Sequence, residues 1–154
     1  MLAAMALKLI IAAFPENATI PEKYGCNGEN ISPAIEWSGA PAKTRSFALI
    51  VDDPDAPGGT FTHWLLWSIP DTIHSLDENF KPTLNVQVGT NDFGKKGYGG
   101  PCPPSGTHRY IFKLFALDTP ALPVKAGAKR ADLERALRGH IVEKAEYMGK
   151  YSAK

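Results

Sequence analysis

Hydrophobic and polar residues alternate along most of this chain with a period of two, the spacing that puts successive side chains on opposite faces of a β-strand. Leu7 to Ala12 reads as a first strand. Ser46–Asp53 (SFALIVDD) follows, with Phe47, Leu49, Val51 and Asp53 on one face. In 61–69 (FTHWLLWSI), period two groups Phe61, His63, Leu65, Trp67 and Ile69 against Thr62, Trp64, Leu66 and Ser68. Both faces are largely apolar, so this strand should be central and covered on both sides. Leu84–Val88 is a shorter strand, and 108–117 (HRYIFKLFAL) places His108, Tyr110, Phe112 and Leu114 on one face. Only 129–145 (KRADLERALRGHIVEKA) carries a helical stripe, formed by Leu133, Ala136, Leu137 and Ile141. Gly149 is expected to stop that helix, with a short strand near Tyr151 after it.

The 14 glycines and 13 prolines reinforce a turn-rich, mostly-β reading. They concentrate in 89–106 (GTNDFGKKGYGGPCPPSG), a loop long enough that a role in function is expected of it. Its backbone N–H groups can approach an anion unobstructed. No repeat or linker divides the 154 residues, so one domain over 1–154 is expected, with 1–5 as an extension outside the fold and Met5 as an alternative start. Lys8 interrupts the N-terminal apolar run and no basic residue precedes it, so it reads as a strand rather than a secretory signal. It is also too short to span a bilayer, and a cytoplasmic protein is expected. Seventeen basic side chains against sixteen acidic give a net charge of +1, which argues against a nucleic-acid partner. Cys26 and Cys102, 76 residues apart, form no zinc or redox motif. They are two buried thiols, or a disulfide if their loops meet.

Candidate chemistry lies where polar residues interrupt apolar strands, because an unpaired buried polar group costs on the order of 1–3 kcal/mol. Asp53 ends one such strand, His63 sits inside another, and His108 precedes Tyr110 by one step on a shared face. Each has an ordinary structural reading as a satisfied core histidine, a turn-forming aspartate or a tyrosine with its hydroxyl in water. Their placement beside Gly/Pro-rich loops favours a pocket instead. Imidazole N–H, tyrosine O–H and loop N–H are donors, so their convergence suits holding an anion more than catalysis. A carboxylate beside a histidine fixes its ring and favours imidazolium, so anion binding should tighten from pH 8 to pH 6. Arg109, on the opposite face from His108, is expected to pair with a carboxylate. Lys95 and Lys96 read as a solvated loop tip, His74 as a turn residue and His140 as part of the helix.

The segments NGENISP (27–33), DPDAP (53–57), THW (62–64) and YGGPCPPSGTHRY (98–110) resemble the phosphatidylethanolamine-binding, or Raf kinase inhibitor-like, proteins of the bacterial and archaeal type. The resemblance runs in order from about Leu7 to Tyr151. It implies two packed antiparallel sheets with a C-terminal helix. It also implies an anion pocket on Asp53, His63, Gly100, His108 and Tyr110, with Asp55, Pro57 and Pro104 shaping the rim. Such proteins hold phosphate-like groups, including phospholipid head groups, and several inhibit kinases or serine proteases; a homodimer is also compatible. No cofactor is implied. The chain departs from animal members at APGGTF, where Phe61 stands for their tryptophan, and in a shorter C-terminus. The expected function is therefore non-enzymatic binding of a small anionic or phosphorylated ligand. The alternative is a protease or kinase inhibitor acting through its loops. A hydrolase using a His/His/Asp metal triad, or Ser105 activated beside His108, ranks lower, since no HExxH, GxSxG or Walker motif is present.

Overall fold

The computed structural model describes residues 6–83 and 85–154; the expected extension 1–5 and Leu84 lie outside them. Strands β1 (Lys8–Ile10), β2 (Ile35–Ser38) and β5 (Ser75–Leu76) form a small sheet in the order β1-β2-β5. The larger sheet runs β6-β4-β3-β7-β8, from β3 (Ser46–Asp53), β4 (Phe61–Pro70), β6 (Gln87–Val88), β7 (Thr107–Leu117) and β8 (Ile141–Ser152). Every strand pair within the two sheets is antiparallel. The fold is thus mostly β, in two antiparallel sheets with one helix, α1 (Arg130–Leu137).

The large sheet is covered on both faces, as the apolar character of its central strands requires. Phe47, Leu49 and Val51 of β3, Trp64 and Leu66 of β4, and Tyr110, Phe112 and Leu114 of β7 pack with Leu9, Ile35 and Trp37 of the small sheet. On the other face Ala48, Ile50, Leu65, Trp67 and Phe115 meet Leu133 and Leu137 of α1.

Strict alternation fails in β4, and the failure aims His63. Val51 pairs with Trp64 but Asp52 pairs with Thr62, so His63 is an extra residue with no opposite number in β3. A β-bulge of this kind re-aims a side chain. Thr62 falls on the helix side, where its hydroxyl accepts from Arg130, while His63 packs edge-on against Tyr110, with ring centroids 5.2 Å apart. Leu65 and Trp67 therefore do not share the face of His63, contrary to the period-two grouping. A second irregularity lies between Phe47 and Leu49, opposite Ser68, whose φ is +55°. It returns Ile69 to the inter-sheet core.

The helix is shorter than expected. Leu133 and Leu137 are buried, but Ile141 begins β8 and is 46% exposed. Gly139, at φ +82°, turns the chain after α1. The following strand hides its period because Ala145, Tyr147, Gly149 and Tyr151 alternate with Lys144, Glu146, Met148 and Lys150, and two of its four inward residues are small. Gly149 does not stop a helix; a Cβ there would run into Phe14 and Ile20, so it lets β8 close onto the N-terminal segment. His140 lies past the helix and pairs with Asp118 at 2.8 Å. Near the N-terminus, the strand is Lys8–Ile10 rather than Leu7 to Ala12.

Asp52 locks α1 to the sheet. Its side chain is fully buried, and Oδ2 accepts from Lys113 Nζ at 2.9 Å and from Arg130 NH1 at 2.7 Å. Removing one partner of a fully buried ion pair costs about 3–5 kcal/mol; here Lys113 and Arg130 are each 22% exposed and can turn to water, so the loss is smaller. Asp52→Ala should be destabilised by about 1–3 kcal/mol in urea unfolding monitored by tryptophan fluorescence.

Candidate anion site at the ends of the central strands

The ends of β3, β4 and β7 bring Asp53, His63, His108 and Tyr110 together on one face of the large sheet. All four are buried, none more than 7% exposed. Asp53 sits where β3 leaves the sheet, and the turn orients its carboxylate: Oδ1 accepts from the Asp55 backbone N–H at 2.7 Å. Its Oδ2 accepts from His108 Nδ1 at 2.6 Å, so the His108 proton lies on Nδ1. His63 Nδ1 lies 2.6 Å from the Gly99 carbonyl oxygen, which only accepts, so this ring also carries its proton on Nδ1.

Those two bonds have the same consequence at both rings. Neither Nε2 makes a well-formed hydrogen bond to another described residue. Tyr110, its ring edge-on to His63, buries its hydroxyl without a well-formed hydrogen bond, with Asp53 and the Cys102 backbone as its nearest polar neighbours. Burial, and then the Asp53 charge, push the Tyr110 pKa up and keep it a phenol with a proton to donate. Burial pushes the His63 pKa down, against the opposing pull of the Gly99 carbonyl and of Asp53. Burial thus favours the neutral form of the His63 ring, while the carboxylate expected beside a histidine stands against His108.

Gly99 reaches His63 because the glycine-rich loop is pinned at several points. The backbones of Gly99 and His63 also bond directly, N–H to carbonyl, at 2.9 Å. Asn91, 2% exposed, donates to the Gly97 carbonyl and accepts from the N–H groups of Phe93 and Lys95. Gly100 N–H donates to Asn30 Oδ1 at 2.8 Å, and Tyr98 OH donates to the Tyr24 carbonyl at 2.7 Å. Cys26 and Cys102 form a disulfide with Cα atoms 5.4 Å apart, joining the same two segments. Both cysteine positions are exposed, so the buried-thiol reading does not hold. Closing so long a loop stabilises the fold by on the order of 4 kcal/mol in the chain-entropy model.

The remaining expected residues sit further out. Asp55 turns to Arg109, which binds it with two guanidinium nitrogens and its backbone N–H, holding the carboxyl at about 2. Arg109 thus takes the carboxylate partner expected of it. Pro57 and Pro104 are exposed in their turns. Sequence reasoning missed Phe93, which is 44% exposed and packs edge-on against His63 (5.4 Å) and Phe61 (4.7 Å). Phe93, Lys95, Tyr98 and Gly100 help line an adjoining cavity of about 310 Å³ whose walls carry no carboxylate. Among the described residues no three His, Cys, Asp or Glu side chains gather as metal ligands.

The model of the phosphatidylethanolamine-binding protein family matches residues 11–152. The chain belongs to that family. Within it, the chain is 47% identical over 144 residues to a UPF0098 protein of Methanothermobacter thermautotrophicus, covering 90% of this chain and 94% of that one. A phosphatidylethanolamine-binding protein homologue of Chlamydia trachomatis superposes with a TM-score of 0.89 at 36% identity, covering 97% of this chain and 99% of the other. Escherichia coli YbcL, a member of the mammalian family by its description, gives 0.90 at 33% identity over 96% of this chain and 99% of its own. No helix among the described residues is long and apolar enough to cross a membrane.

Gly100 is the sharpest local test of the site wall. A Cβ there would overlap the Tyr24 carbonyl oxygen and press on Asn30 Oδ1 and the Gly25 backbone. Main chain cannot yield as a side-chain end can, and overpacking of this kind costs about 1–3 kcal/mol. Gly100→Ala should fold with a melting temperature lowered accordingly, whereas Gly58→Ala, at an open position without a positive φ, should lose less.

Proposed function

We propose that the protein binds a small phosphate-like anion between His63 and His108 without turning it over. The observation that carries this is the pair of buried imidazoles, each held through Nδ1 and each offering Nε2, with the Tyr110 hydroxyl, short of a well-formed hydrogen bond, beside them. A buried donor short of a partner can be completed by a ligand or an ordered water, and beside two imidazoles the Tyr110 hydroxyl is suited to a ligand acceptor.

The tautomers specify how such a ligand is held. A neutral ring with Nδ1–H presents a lone pair at Nε2, which repels a bare anion and accepts from an O–H. An anion is held in one of two equivalent ways: the ring takes up a proton, or the ligand arrives with one. A phosphate or phosphomonoester monoanion can do the second, whereas sulfate and phosphodiesters cannot. Because burial lowers the His63 pKa and disfavours its imidazolium, an anion held by the protonated ring draws a proton in. Affinity therefore rises as pH falls from 8 to 6.

Several features support binding over catalysis. The Asp53–His108 pair resembles the base half of a hydrolase, but Ser105 is an exposed loop residue and forms no hydrogen bond to His108. The adjoining cavity, with Phe93 and Lys95 and no carboxylate, suits the remainder of an anionic or aromatic ligand better than a cationic amine. A free phosphorylated metabolite could be held in either way, whereas a phospholipid head group, being a phosphodiester, would be held only by a ring that has taken up a proton.

Isothermal titration with inorganic phosphate, in two buffers of different ionisation heat, tests the proposal. Phosphate should bind about tenfold more tightly at pH 6 than at pH 8, with net proton uptake at pH 8. Sulfate should bind weakly at pH 8. His63→Ala and His108→Ala, checked for folding by circular dichroism, should each abolish the phosphate signal; a flat or reversed pH profile would overturn the reading.

A further inference from the structure

The helix-side face of the large sheet contains a cleft that the imidazole site does not use. The eight-residue α1 packs Leu133 and Leu137 with Ala48, Ile50, Leu65, Trp67, Phe115 and Leu117, and leaves an opening beside its C-terminal end and the start of β8. The opening is a cavity of about 290 Å³, with Ile50, Phe115, Leu137 and Ile141 among its lining residues. Ile141 is 46% exposed, although its three apolar neighbours are buried. An isolated exposed apolar residue needs no explanation; one that completes a concave apolar surface does.

The rim of this cleft is basic. Lys113, Arg130, Arg138 and Lys144 line it, against Glu134 alone. Lys113 and Arg130 are drawn down onto Asp52, Arg130 also meets Glu134 at 3.3 Å, and Lys144 meets Glu146 at 3.1 Å. Four bases against three carboxylates leave one positive charge over. Arg138 is the rim base with no carboxylate partner among the described residues. It stands at the C-terminal end of α1, beside Leu137 and close in sequence to Ile141.

We infer that this cleft is a second binding site, for a medium-chain carboxylate whose apolar body lies on Phe115, Leu137 and Ile141 and whose anionic end meets Arg138. The volume is at the lower limit for small-molecule pockets and too small for a docked helix. The single excess positive charge matches a single carboxylate. An arginine fork binds a carboxylate through two parallel N–H bonds, which fixes the ligand's direction as well as its charge. The site stands apart from the His63–His108 pair, on the opposite face of the sheet, and does not depend on the function proposed for that pair.

Amide NMR titration of the full chain with octanoate, octanol and octylammonium tests this, because the three share a tail and differ in charge. Octanoate should give saturable shifts at residues 113–115 and 134–144. Its affinity should exceed that of octanol severalfold and that of octylammonium about tenfold. Arg138→Ala should erase the octanoate preference over octanol, and Ile141→Ser should weaken both; both positions are exposed, so the fold is retained. Three outcomes would overturn the inference: equal binding of octylammonium, octanoate shifts confined to the neighbourhood of His63 and His108, or no saturable shift at all. A fourth is broadening of these same amides with protein concentration alone, which would assign the face to a second copy of the chain.

Discussion

A histidine enclosed in a β-sheet must find a partner for its N–H inside the protein, and at His63 that partner is the carbonyl oxygen of Gly99. Much of the site follows from this bond. It fixes the tautomer, turns the other nitrogen outward, and requires the glycine-rich loop to lie against β4 rather than project into solvent. The bulge that frees His63 from the ladder and the loop that meets it are two halves of one arrangement. On β7 the Asp53–His108 bond repeats the same logic with a side chain in place of a backbone acceptor.

The loop can serve this way only because it is rigid. Gly100 stands where no side chain fits, Asn91 folds the tip back on itself, and the disulfide joins the wall to the segment that carries Tyr24 and Asn30. Preorganisation of this sort lowers the ordering cost of ligand capture. It also explains how a chain with a net charge of only +1 can favour an anion: the preference is built from oriented donors at one place, not from the field of the whole molecule.

The sequence displayed the strands that matter most, because β3 and β4 are largely apolar on both faces, β7 is apolar on one, and glycine- and proline-rich turns flank them. Asp53, His63, His108 and Tyr110 stood out as polar interruptions, and the family resemblance added Gly100 to them. Other features were hidden for definite reasons. A bulge inserts one residue without altering composition, so the face of His63 relative to Leu65 could not be read from alternation. Strand β8 was masked as helix because Ala145 and Gly149 are too small to mark an inward face, while Ile141 happened to extend the stripe of Leu133 and Leu137. The Gly99 carbonyl left no trace because a backbone acceptor has no side chain to betray it. The Asp52–Arg130 bond joins residues 78 positions apart, and nothing local announces it.

The account stands or falls on where the protons sit on two rings. Long-range 15N–1H NMR of the histidine side chains at pH 8 reads this directly. Residues 63 and 108 should both show a protonated Nδ1, His63 with a bare Nε2, and added phosphate should bring a proton to the His63 Nε2 or shift it strongly. Finding the His63 proton on Nε2 alone, or nitrogens indifferent to phosphate, would contradict it.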